Sequence, residues 1–294
     1  MIKKILFAGI IVLFMANAAF AKINAVATLP WIGSLLDEIG KDKVKVKVLV
    51  KPSQDPHYVE ARPSMILAVR RADALFYNGL DLEVAYLPVL IESSRNAKIQ
   101  PGMPGHIDCS QFIEVIDRSY KVDRSMGDVH PYGNPHYHLS VKNIVKAAQG
   151  ITDVLSAADP GNAEYFKDRL ADFTGRMSKK ESEWRNVDFN GMKVIAYHKQ
   201  YEYLAKEFNF SIAGYIEPKP GIPPSASHIQ SVINTINDFG IKTILTTAYY
   251  GVREAKFISE KTGARVLVLP HDVRSMDGAD DLIGLIDTSI NKFQ

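Results

Sequence analysis

The sequence predicts an α/β fold of two lobes, each a mostly parallel sheet flanked by helices, joined by one long helix with a cleft between the lobes. Three observations carry this. Short apolar strand-like runs alternate with amphipathic helical stretches in a first series from Ile23 to about residue 155, and the alternation restarts at Met192 and runs to the end. Between the two series, residues 163–185 contain no proline and a single glycine, Gly175. The predicted division is a signal peptide over 1–21, a first α/β lobe over 22–160, a linker helix over 161–188 and a second α/β lobe over 189–294.

The leader comes first. Lys3 and Lys4 precede an almost unbroken apolar run from Ile5 to Met15, followed by Ala19-Phe20-Ala21. A basic start, a short apolar core and an A-x-A site read as a secretory signal cut before Lys22. The only cysteine, Cys109, lies far from the cut and reads as a small buried hydrophobe, so the expectation is a free, soluble periplasmic protein without a lipid anchor.

In the first lobe, residues 23–29 read as a strand, and Pro30 opens an amphipathic helix that stops at Gly40. Val44-Lys45-Val46-Lys47-Val48-Leu49-Val50 alternates like a half-buried strand. A helix over 62–71, a strand over 74–77, a helix over about 82–94 and a helix over 139–155 follow. Asp159-Pro160-Gly161-Asn162 is a turn. In residues 163–185 apolar positions such as Phe166, Leu170, Phe173, Met177 and Trp184 mostly recur at helical spacing among charged ones, a pattern for a bridging helix of about 34 Å. The second lobe reads as strands over 192–197, 211–215, 243–246 and 266–269, with helices over 201–208, 228–239, 254–262 and 279–293.

The two leader lysines account for the whole formal charge of +2, leaving the remainder neutral. With no basic patch and no Lys/Arg stripe interleaved with aromatics, nucleic acid is not an expected partner. Three of the eight histidines, His130, His136 and His138, fall within nine residues in a Gly/Asn/Pro-rich stretch. On its own that stretch fits either a metal site or a polar loop with incidental histidines, since no pair has helical His-x-x-x-His spacing. The others add to it. His57 lies just past the second strand, His198 ends the first strand of the second lobe, and His271-Asp272 follow its last strand. In open α/β sheets ligands bind beyond the carboxyl ends of strands, so such residues can converge across a cleft and surround a divalent ion.

Asp55-Pro56-His57, Asn134-Pro135-His136, Tyr197-His198 before an aromatic-rich helix, and an acidic residue after the last strand stand in register over nearly the whole chain. In this the chain resembles the zinc- and manganese-binding solute receptors of bacterial ABC transporters, the ZnuA/TroA-like family. The resemblance implies a two-lobed receptor that holds one ion in the interlobe cleft and delivers it to a membrane permease, without catalysis. Carried over position by position, it puts the ligands on His57, His136, His198 and Asp272, with His271 and His138 as further candidates. Where the family usually continues its second motif with Trp and Leu-Asp-Pro, this chain has His138-Leu139-Ser140-Val141. The long histidine-rich loop of many zinc receptors is missing from residues 116–129.

Three imidazoles and a carboxylate suit Zn²⁺, whereas Mn²⁺ prefers more oxygen and higher coordination; Mn²⁺ and Fe²⁺ are the alternative ions. A monomer is expected. A secreted zinc hydrolase would need an open coordination position, and the sequence lacks His-Glu-x-x-His, Gly-x-Ser-x-Gly and phosphate-loop motifs. A metal-stabilised adhesin is the remaining alternative. Of the other histidines, His106 reads as exposed, His228 as structural at a helix start, and His130 as a solvated loop residue, with an outer or accessory role left open. Glu217 reads equally as a partner of a ligand imidazole or as a surface residue.

Overall fold

The computed structural model describes residues 22–118 and 130–294. The leader reading for 1–21 and most of the segment 116–129 lie outside them. The first lobe is a parallel sheet of β1 (Ile23–Ala27), β2 (Val44–Val48), β3 (Ala74–Tyr77) and β4 (His106–Asp108) in the order β2-β1-β3-β4. The second repeats this order with β5 (Lys193–Ala196), β6 (Ser211–Tyr215), β7 (Thr243–Thr246) and β8 (Arg265–Val268) as β6-β5-β7-β8. In each, the chain departs in opposite directions from the neighbouring strands β1 and β3, or β5 and β7. Those are the switch points at which open sheets leave a crevice at their carboxyl edge.

Central β1 is buried at Ile23, Ala25, Val26 and Ala27, while edge strand β2 exposes Lys45 and Lys47 as its alternation requires. Helix α1 (Pro30–Gly40) starts on a proline and buries Trp31, Ile32, Leu35, Leu36 and Ile39 against the sheet. Helices α2 (Pro63–Arg70), α3 (Leu87–Ser94) and α4 (Val141–Ala158) complete this lobe, and α6 (Glu202–Phe208), α7 (Ala226–Phe239) and α8 (Val252–Thr262) flank the second sheet.

The linker helix is α5 (Ala163–Trp184), which buries a stripe of Phe166, Phe173, Met177 and Trp184 and leaves most other positions accessible. It packs on α1 and α4 and on the last helix, α9 (Leu282–Asn291). Arg169 and Arg176 pair with Glu38 of α1, and Trp184 Nε1 donates to Asp287 Oδ1 of α9 at 2.9 Å. One apolar core continues from Trp31 and Leu36 through Phe166 and Trp184 to Phe208 and Leu285. A smaller one built on Ile195, Ile233, Ile244 and Ile258 lies in the second lobe.

Two local expectations change. The helix expected from residue 82 starts at Leu87, because Gly79, Leu80 and Asp81 take positive φ values of 80°, 57° and 63° and turn the chain first. The Pro/Gly-rich stretch before His106 conceals β4, and His106 is half-buried rather than exposed. Its Nδ1 lies 3.0 Å from the Ile99 carbonyl and its Nε2 3.0 Å from the Tyr77 hydroxyl. Cys109 is fully buried, as expected.

Candidate metal centre

His57 follows β2 on a single turn, Pro56–Tyr58. Asp55 caps that turn, its Oδ1 accepting from the His57 backbone N–H at 3.0 Å and from ring Nδ1 at 2.6 Å. A carboxylate can only accept here, so Nδ1 carries a proton and Nε2 is the nitrogen left to meet a further partner. Burial pushes the Asp55 carboxyl up, but the bond and charge of His57 and a bond from the Tyr250 hydroxyl outweigh it and hold Asp55 below its ordinary value.

His136 is held from beneath by a buried polar network. Glu83 accepts from Thr28 Oγ1 at 2.6 Å and from the backbone N–H groups of Asn78 and Gly79 at 2.7 and 3.1 Å. Asn78 in turn accepts from Trp31 Nε1 at 3.1 Å and donates to the Pro135 carbonyl at 3.1 Å. Asn134 Oδ1 accepts the His136 N–H at 3.0 Å, and the Asn134 side chain donates to Glu202 of the second lobe at 3.1 Å. His136 Nε2 is buried without a hydrogen-bond partner. Burial, and then the neighbouring His198 and His57, push its pKa far down, so it is neutral and free to donate its lone pair.

His198 follows β5. Its Nδ1 donates to Glu217 Oε2 at 2.6 Å, a carboxylate buried at the end of β6. Of the two readings of Glu217, partner of an imidazole is the one the geometry carries. Tyr250 stacks on His198 at 5.1 Å between ring centroids and on Tyr197 at 5.5 Å. The next residue, Gly251, sits at φ +38°, and a Cβ there would meet the Tyr197 ring at 1.6 Å, so only glycine admits this stack. Tyr249 and Tyr250 carried no motif. The signal that locates them is positional, since they follow β7 at the carboxyl edge of its sheet.

Among the described residues, His57, His136 and His198 bring one ligand atom each to within 4.8 Å of one another, and their ring centroids are 5.4 to 5.5 Å apart. Two come from the first lobe and one from the second. The other expected residues are placed differently. Asp272 Oδ1 accepts from the Val273 N–H at 2.6 Å, and the carboxylate also takes the Trp31 backbone N–H, at the start of α1. That helix has no side-chain cap of its own, so Asp272 supplies one from the other lobe. Asp272 lines a cavity together with His136 but is not among the residues that fall within 4.8 Å of one another. Burial raises its pKa well above the ordinary range. His138 stacks on Trp31 and donates from Nε2 to the His271 carbonyl at 2.8 Å, and the His271 ring packs edge-on against Tyr249. Both are buried, and burial lowers each to about 4. His228 is structural, as read: its backbone N–H donates to Ser225 and its Nε2 lies 3.0 Å from the Tyr215 carbonyl.

His130 departs from its reading as a solvated residue. It is half-buried, its Nδ1 donates to the Leu80 carbonyl at 3.1 Å, and its Nε2 lies 3.1 Å from His57 Nε2. Burial, and then His57 and His198, push it down to about 3.

The family model for zinc-uptake complex component A, periplasmic, matches residues 25–294. A manganese ABC transporter substrate-binding lipoprotein of Streptococcus mitis is 24% identical over 252 residues, covering 83% of this chain and 78% of its own. A metal ABC transporter substrate-binding lipoprotein of Lactococcus lactis is 24% identical over 246 residues, covering 82% and 76%. A crystal structure of ZnuA superposes with a TM-score of 0.77 at 24% identity, over 92% of this chain and 98% of that one, and so shares the fold. These relatives correct one expectation. A free periplasmic protein released by a cleaved signal, with no lipid anchor, does not stand beside relatives that are lipoproteins. A basic start with an apolar core is common to both kinds of export signal, so that pattern could not separate them. The chain belongs to the family of the periplasmic zinc-uptake component A, the extracytoplasmic metal-binding receptors, not enzymes, that serve the membrane permeases of ABC transporters.

Proposed function

We propose that this receptor captures Zn²⁺ between its lobes through Nε2 of His57, His136 and His198 and releases it to its permease. The observation that carries the reading is the convergence of three imidazoles from both lobes inside one 4.8 Å group, with Nδ1 of His57 and His198 committed to carboxylates and Nε2 of His136 without a partner. Zinc at 2.0–2.1 Å from each nitrogen would set the nitrogens roughly 3.3 Å apart, so loading requires only a small inward movement.

Zinc is preferred over manganese on the donor set. The relative from Streptococcus mitis is named for manganese, but Mn²⁺ favours oxygen and higher coordination, while Zn²⁺ accepts a four-coordinate nitrogen shell. Asp55 and Glu217 bring one formal negative charge each to the outer nitrogens, matching a divalent cation without either carboxylate entering the shell. Titration of metal-free protein with Zn²⁺ and Mn²⁺ against a competing chelator tests this. One equivalent of Zn²⁺ should bind far more tightly than Mn²⁺, and His57→Ala and His198→Ala should each weaken zinc by roughly 100-fold or more, beyond the loss of an outer partner. Tighter manganese binding, or unchanged zinc affinity in both variants, would overturn the reading.

A further inference from the structure

We propose that His130 is the fourth metal ligand, so that the ion sits in a shell of four imidazoles with no carboxylate. This rests on the three-histidine reading above and deepens it. His57 Nδ1 is committed to Asp55 Oδ1 and His130 Nδ1 to the Leu80 carbonyl, and both of those partners can only accept. In each ring the proton on Nδ1 is therefore committed, and Nε2 is the nitrogen turned toward the other ring. The two Nε2 atoms face each other at 3.1 Å. Two ring nitrogens at that separation are bridged by a shared proton in the metal-free protein, and a metal ion can take the proton's place, since 3.1 Å is close to the roughly 3.3 Å nitrogen–nitrogen edge of a tetrahedral zinc site. Because His57 Nε2 also belongs to the trio, a cation at the trio's centre lies beside His130 as well.

The competing candidates, His271 among them, lie outside the group that falls within 4.8 Å, and most are held by other partners. Asp272 accepts from Val273 and Trp31, His138 Nε2 bonds to the His271 carbonyl, and Glu217 and Asp55 hold the outer nitrogens of His198 and His57. His130 stands outside the group that lies within 4.8 Å and meets it at His57, so an ion must draw it inward. The turn that presents its anchoring carbonyl places Leu80 and Asp81, neither of them glycine, in the left-handed region. An all-nitrogen shell also bears on selectivity, since it offers Mn²⁺ none of the oxygen it prefers.

X-ray absorption at the zinc edge of the loaded full chain counts its imidazoles without any mutation. Four nitrogens with four-imidazole multiple scattering are expected in the wild type, and three with a water oxygen in His130→Ala. Zinc affinity of that variant should fall by at least the roughly 10- to 100-fold that losing even an outer partner causes. The Co²⁺-substituted visible spectrum should change in step, and His130→Gln should not restore it. A wild-type shell of three imidazoles plus oxygen, or an unchanged affinity and cobalt spectrum in His130→Ala, would overturn the role of His130 while leaving the trio intact. Failure of the wild type to bind one zinc, or indifference to His57→Ala, would instead sink the underlying three-histidine reading.

Discussion

At the scale of single residues, the site depends on which nitrogen of each ring is left free. Glu217 fixes that choice for His198, and Asp55 fixes it for His57. Glu217→Ala should leave His198 Nδ1 buried without an acceptor and lower zinc affinity by roughly 10- to 100-fold, read by chelator competition; an unchanged affinity would mean that Glu217 serves only the local fold. Burial also sets a pH window. His138 and His271 sit at about 4, against about 6.5 for a histidine of an unfolded chain. Between those values the unfolded chain binds more protons than the folded one. Their contribution is therefore complete above pH 6.5 and declines as pH falls toward 4. Each group is expected to remove on the order of 2 kcal/mol between pH 7 and pH 5, seen as a lower urea midpoint for metal-free protein. Equal midpoints at the two pH values would contradict it. His57, His136 and His198 were legible because each ends a strand or closes an Asx-Pro turn. His130 and Tyr250 were not, because their partners lie 73 positions away at His57 in one case and in the other lobe in the second.

Elements matter where one lobe completes the other. Helix α1 begins at Pro30 without a side-chain cap, and Asp272, from the loop after β8, accepts its Trp31 N–H. Asp272→Ala should therefore cost about 1–3 kcal/mol in urea unfolding while leaving zinc affinity within a few-fold of wild type. A loss of affinity without a loss of stability would restore Asp272 to the shell. On α5, Asp287 of α9 accepts from Trp184 and Lys180 at 2.9 and 3.0 Å. Its removal should lower stability by about 1–2 kcal/mol, since the buried Trp184 N–H is left unpaired. The long helices and the strongly alternating β2 could be read from periodicity alone. The short β4 and the late start of α3 could not, because three residues of strand carry no period and the left-handed turn at Gly79-Leu80-Asp81 uses two non-glycine residues, of which Leu80 carries no turn signal.

The whole molecule couples its lobes through α5 and through a core that runs without a break from α1 to α9. A continuous helix with a buried stripe cannot fold at a point, so loading should proceed by small sliding movements rather than hinge closure. Solution scattering of metal-free and zinc-loaded protein is expected to give radii of gyration within about 1 Å of each other. A contraction of several ångströms would show a hinge. The two-lobed architecture was legible because strand and helix alternate twice around one uninterrupted helix; how closely the lobes share a core was not, since it depends on α9, at the far end of the chain, packing back on α1 of the first lobe. The central claim is that side chains of both lobes meet on one ion. Anomalous diffraction at the zinc edge from crystals of the loaded chain tests it most directly. One peak is expected about 2.0–2.1 Å from Nε2 of His57, His136 and His198, whereas a peak that omits His198, or lies at His138 and His271 instead, would contradict it.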